Sequence, residues 1–161
     1  DSDTFAYYES AINSIVRELA PRMPGALPNE MAKRIKHLYT AQQVRDSLAM
    51  LTRAKYLEET GENVYRQTDK AITGSTEAIP LALRSMNREM TDLAKEAIDT
   101  VSVHERNISG VTMGVDAPTL ARISEEINKC RRRVIALANE CKNIEQVYRV
   151  NLQLFPLTDK V

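Results

Sequence analysis

The stretch Thr40-Ala41-Gln42-Gln43, followed by Val44, Leu48 and Leu51, constrains this chain more than any other. Thr-x-x-Gln is a capping box, in which the hydroxyl and amide side chains satisfy two orphan N–H groups where a helix begins. Val44, Leu48 and Leu51 then step by four and three, so one stripe of that helix has to be buried. Two β-prone runs come directly after it, Lys55-Tyr56-Leu57-Glu58-Glu59 and Val64-Tyr65-Arg66-Gln67-Thr68. The intervening Thr60-Gly61-Glu62-Asn63 predicts a hairpin.

Upstream, Phe5, Tyr8, Ile12, Ile15 and Leu19 share one helical stripe, ended by Pro21, Pro24 and Gly25. A second helix is expected from Asn29 to Leu38, with Asn29 as N-cap and Glu30 at the positive end. Met31, Ala32, Ile35 and Leu38 would face inward, and His37 would complement the negative end of the dipole. Helix, helix, capped helix and hairpin between Phe5 and Asp69 is the order of a winged helix-turn-helix, whose third helix meets DNA and whose hairpin is the wing. That module occupies residues 1–72.

A linker is expected from Lys70 to Thr76. A helix from Ile79 to Val101 then carries Leu83, Met86, Met90, Leu93 and Ala97 on one stripe, its methionines read as core packing. Val111, Met113 and Val115 alternate with Thr112 and Gly114 like a half-buried strand. Asp116 and Pro118 open another helix, with Leu120, Ile123, Ile127, Cys130, Val134, Leu137 and Cys141 in heptad-like register. Tyr148, Val150, Leu152 and Leu154 alternate in a last strand, stopped by Pro156. The expected fold class is therefore α+β, mainly helical: a winged helix-turn-helix followed by a helical and two-stranded-sheet module over residues 73–161.

The formal net charge of zero weighs mildly against a strong electrostatic binder of nucleic acid, although a local basic face is compatible with it. The longest apolar run, from Val134 to Ala138, is far below the roughly 20 residues of a membrane span, so a cytoplasmic setting without a membrane partner is expected. Cys130 and Cys141 would sit about 16 Å apart along one helix, beyond the reach of an intrachain disulfide, and read as reduced, buried thiols. His37 and His104 have no carboxylate or cysteine at ligand spacing, and there is no phosphate loop or nucleophile elbow. No catalytic residue, cofactor or metal is assigned, and the chain is not expected to be an enzyme.

Charge is concentrated where the order of elements would place DNA. From Glu30 to Leu57, Lys33, Arg34, Lys36, Arg45, Arg53 and Lys55 face only Glu30 and Asp46. The candidate DNA-binding residues are Lys33, Lys36, Gln42, Gln43, Arg45 and Arg53: glutamine bonds adenine edges, and arginine bonds guanine edges or phosphate. The hairpin is different, because Glu58, Glu59, Glu62 and Asp69 outnumber Arg66 and Lys70. An acidic wing is repelled by phosphate and would contribute little or face away from DNA. A second basic cluster, Lys129, Arg131, Arg132 and Arg133, reads as a solvated helix face.

The segments "QTDK" at 67–70, Arg88-Glu89-Met90 and "VYRVNLQLFPLT" at 147–158 resemble an uncharacterised bacterial paralogous family, the Fibrobacter-type paralogous domain. The resemblance extends over nearly the whole chain and implies a winged-helix transcriptional regulator of which this chain is the C-terminal portion. It assigns no catalytic or ligand residue. Where that family has a glycine-containing corner before the wing, this sequence has Ala54-Lys55-Tyr56-Leu57. The expected function is DNA-binding transcriptional regulation, with the second half in dimerisation or in sensing an effector of unknown identity. A homodimer would use the helices from Ile79 to Val101 or from Leu120 to Cys141. The alternative is a winged-helix protein-interaction scaffold without DNA contact, or an effector-sensing module.

Overall fold

A computed structural model of the chain describes residues 2–36, 38–70 and 78–161, with the side chains of Ala78 and Ile79 outside the description. The dipole role expected of His37 and nearly all of the expected linker therefore lie outside the described residues. The elements run α1 (Ser2–Glu9), α2 (Ala11–Leu19), a 3-10 turn (Ala20–Arg22), α3 (Pro28–Arg34), α4 (Ala41–Arg53), β1 (Leu57–Gly61), β2 (Val64–Gln67), α5 (Ala78–Thr100) and α6 (Ala117–Glu140). The fold is α+β and mainly helical. The chain divides into one unit of residues 1–93 with 145–147 and another of residues 94–144 with 148–161.

In the first unit α4 packs on α2 and α3, and its expected stripe, Val44, Leu48 and Leu51, is buried together with Ser47. Tyr7, Ile12, Val16, Met31, Tyr56 and Leu57 join these residues in one core, to which α5 adds Met86 and Met90. Removing the Leu51 side chain from such a core costs about 2–5 kcal/mol.

The single helix expected to reach Leu19 is two helices, because Ser10 is extended (φ −142°, ψ 140°). Glu89 of α5 explains the break. Its carboxylate accepts from the Ala11 amide at 2.8 Å and from the Ser10 hydroxyl at 3.4 Å, which places a negative charge on the first free N–H groups of α2. Asn13 closes the other side of the junction. Its Nδ2 donates to the Ala6 carbonyl at 3.0 Å, and its Oδ1 accepts from the Ser47 hydroxyl of α4 at 2.7 Å.

The N-cap of α3 is Leu27 rather than Asn29, because Pro28 takes the first helical position, where its missing N–H costs nothing. Met31, Ala32 and Ile35 are buried as the spacing predicts, whereas Leu38 is exposed. The helix stops at Arg34 and Lys36 adopts a left-handed φ of 56°, which carries Leu38 out of the helical register.

The capping box of α4 forms with both bonds, Gln43 N–H to Thr40 Oγ1 at 3.1 Å and Thr40 N–H to Gln43 Oε1 at 2.8 Å. At its other end the Tyr56 amide donates to the Leu51 carbonyl at 2.8 Å and the Lys55 amide to the Thr52 carbonyl at 3.1 Å. This is a Schellman motif, and its left-handed position, usually glycine, is Lys55 with φ 65°. The expected hairpin follows, β1 antiparallel to β2 with Glu58 opposite Arg66 and a bulge between Glu59 and Gly61. The Gly25 amide donates to the Asn63 carbonyl at 2.8 Å, and Gln67 Nε2 donates to the Arg17 carbonyl at 3.0 Å, so the hairpin is tied along its length to the end of α2 and the loop after it.

The second unit departs further from expectation. Among the described residues the only sheet is β1–β2; residues 111–115 and 148–154, expected as strands, lie outside regular secondary structure. Alternation makes a segment suitable for a half-buried ladder, but a ladder also needs a partner strand. Helix α6 starts as expected, with the Thr119 amide donating to Asp116 Oδ1 at 2.9 Å. It nevertheless contains no buried residue. The thiols of Cys130 and Cys141, expected to be buried, are free and exposed.

Candidate nucleic-acid interface

Because Val44, Ser47, Leu48 and Leu51 turn one side of α4 into the core, the opposite side is left to solvent. Gln42, Gln43, Arg45, Asp46 and Arg53 are all exposed, as are Lys33 and Lys36 at the end of α3. Arg45 donates to Gln42 Oε1 at 2.8 Å, and Gln42 Nε2 donates to Asp46 Oδ1 at 2.8 Å, so the three side chains form one chain along the helix. The guanidinium is thereby held near the helix surface, and a carboxylate sits at the far end of the relay. Gln43 is committed differently: its side-chain oxygen accepts from the Thr40 amide, leaving its NH2 group for outside contact.

The start of α4 is positioned by a residue the local sequence did not point to. The Tyr39 hydroxyl donates to Glu89 Oε1 at 2.7 Å, so one carboxylate holds both the first turn of α2 and the residue before the Thr40 cap. Burial raises the Tyr39 pKa strongly, and the hydrogen bond to Glu89 raises it further, so the phenol stays protonated. Neither end of this contact has a signal within its own window, since fifty residues separate them.

The hairpin adds negative charge. Glu58, Glu59 and Glu62 are exposed, and Arg66, its only basic residue, is paired with Glu58. On the inner side of the hairpin Tyr56 is fully buried, with Lys70 Nζ 4.5 Å and the Arg17 guanidinium 5.4 Å from its ring centre. Lys70 also meets Asp3 at 3.1 Å and the Ala54 carbonyl at 2.6 Å. These cations are structural, bound to a ring and to carbonyls. They stand apart from the exposed lysines and arginines of α3 and α4.

No group of His, Cys, Asp and Glu among the described residues is arranged to hold a metal ion. No helix among them is long and apolar enough to cross a membrane.

A family model described as Domain of unknown function (DUF4423) matches residues 1–157. The chain belongs to the DUF4423 family. No curated protein and no solved structure matches this DUF4423 chain.

Proposed function

We propose that the first unit of this DUF4423 chain is a winged helix-turn-helix and that the protein is a DNA-binding transcriptional regulator, with α4 as the recognition helix. The observation that carries the reading is the capped, one-sided burial of α4, which leaves Gln42, Arg45 and Arg53 on an exposed face directly before an antiparallel hairpin. Lys33 and Lys36 extend that face toward the phosphates, while the NH2 group of Gln43 remains for a base edge. The Fibrobacter-type resemblance, which implies winged-helix regulators, supports the same reading. The acidic hairpin contributes no phosphate contact, so binding rests on α3 and α4.

Fluorescence anisotropy with a pooled 30-base-pair duplex, repeated from low to physiological salt, tests this. Arg45→Ala and Arg53→Ala should each weaken binding and lower the log–log salt slope by about one for every phosphate left without its cation. Unchanged binding and slope in both variants would rule the interface out. The acidic hairpin favours one second reading, a scaffold whose winged helix meets a basic partner protein. Under that reading the wild-type chain binds no duplex even at low salt.

A further inference from the structure

One apolar stripe of α6 has a spacing that is the same from either end. Leu120, Ile123, Ile127, Cys130, Val134 and Leu137 are separated by three, four, three, four and three positions, so the series is symmetric about the point between Asn128 and Lys129. A stripe of this kind ordinarily faces a core. Here the cover is incomplete: α6 buries no residue, Ile123, Ile127 and Val134 are half-buried, and Leu120 and Leu137, at the two ends of the series, are 43% and 66% exposed.

We propose that α6 pairs antiparallel with α6 of a second copy of this chain, about a two-fold axis crossing between Asn128 and Lys129. Leu120 then meets the partner's Leu137, Ile123 meets the partner's Val134, and Ile127 meets the partner's Cys130. Every position of the series finds an apolar counterpart, and the contact is isologous, as closed two-fold symmetry requires.

Charge selects the antiparallel arrangement. The acidic pair Glu125 and Glu126 and the basic run Arg131, Arg132 and Arg133 lie on opposite sides of the same midpoint, with Glu125 and Arg132 equally far from it. Antiparallel pairing sets each acidic pair level with the partner's basic run. Parallel pairing would set two runs of three arginines side by side, with the aligned helix dipoles adding to the repulsion. Glu126 and Arg133 each immediately precede a stripe residue, so they lie on the same edge of the seam and meet across it. Glu126 is 70% exposed and meets Lys129 of its own helix only at 3.4 Å, so its carboxylate can exchange that exposed pair for the contact across the seam.

Val111, Tyr148, Val150, Leu152, Leu154 and Phe155 of the same unit are exposed as well, so apolar surface beyond the α6 stripe is also left uncovered. The inference stands apart from DNA binding: a dimer that binds no duplex, or a monomer that does, separates the two.

The experiment uses the full chain with Cys130→Ala and Cys141→Ala, to which Leu120→Cys, Leu137→Cys or both are added. Under mild oxidation the double variant should give a covalent dimer, as should a mixture of the two single variants. Each single variant alone should give none, because Leu120 lies about 25 Å along the seam from the partner's Leu120. Cross-linking of the single variants alone would overturn the antiparallel arrangement. A second measurement leaves the seam intact. In sedimentation equilibrium, Glu126→Arg should raise the dimer dissociation constant about fivefold, and adding Arg133→Glu should restore it. A wild-type chain that remains a strict monomer into the hundred-micromolar range would overturn the proposal outright.

Discussion

Replacing Lys55 with glycine should stabilise the protein, an unusual expectation for a change that removes a whole side chain. Lys55 occupies the left-handed position of the Schellman motif that ends α4, with φ 65° and an exposed side chain. The Cβ of an L-residue in that conformation crowds its own following carbonyl, at roughly 1–2 kcal/mol. Glycine removes the strain, but it also gives the unfolded chain more freedom, which offsets about 0.4–1 kcal/mol of the gain. The net expectation is a stabilisation of about 0.5–1 kcal/mol, or about 1–4 °C in Tm for a chain of this size. Urea unfolding followed by circular dichroism should show the midpoint rising with an unchanged slope. Lys55→Ala is the decisive control. It removes the same flexible side chain but keeps the Cβ, so its midpoint should stay close to that of the wild type. Equal stabilisation by alanine and glycine would show that the gain comes from losing the lysine charge or chain, and would refute the backbone argument.

Glu89→Ala removes the carboxylate shared by Ser10, the Ala11 amide and Tyr39 and should cost about 2–3 kcal/mol in urea unfolding, with Glu89→Gln costing visibly less because it still accepts hydrogen bonds. Ser47→Ala leaves the buried Asn13 oxygen without its donor and should destabilise by about 1–3 kcal/mol, and adding Asn13→Leu should not recover the loss, because the Ala6 and Tyr7 carbonyls would then lose the Nδ2 donor as well. Burial pushes the Tyr7 hydroxyl up to about 12, against the opposing charge of Arg17. The folded state therefore holds this proton more tightly than the unfolded chain. Its contribution is complete below pH 10 and is lost as the pH rises from 10 toward 12, at up to about 1.4 kcal/mol per pH unit. Alkaline denaturation of Tyr7→Phe should accordingly be shallower over that interval, and a superimposable profile would exclude Tyr7 as its source.

Elements whose determinants lie within a few residues of one another were readable in the chain: the α4 capping box, the hairpin around Gly61 and the Asp116 cap all rest on neighbours. What escaped depends on distant partners or on competition between adjacent residues. The break at Ser10 is made by a carboxylate 78 residues away from Ala11, and Pro28 displaced Asn29 from the cap because the chain can use only one of them. The alternating segments 111–115 and 148–154 satisfy half of the requirement for a strand, since side-chain pattern says nothing about who supplies the other edge. At the candidate interface, exposure of Gln42, Arg45 and Arg53 followed from the buried stripe of α4. The Arg45–Gln42–Asp46 relay did not follow, because it depends on rotamers chosen among several equally spaced partners.

The bond between Gly25 and Asn63 changes what can be done to the hairpin in the laboratory. Hairpin tips are the customary place to insert a tag, a fluorophore or a protease site, because their backbone usually answers only to water. Here the carbonyl at the tip is a fastening for a loop nearly forty positions earlier in the chain. An insertion next to Asn63 would unhook that loop, and α3, which begins only three residues after Gly25, would lose its anchor with it.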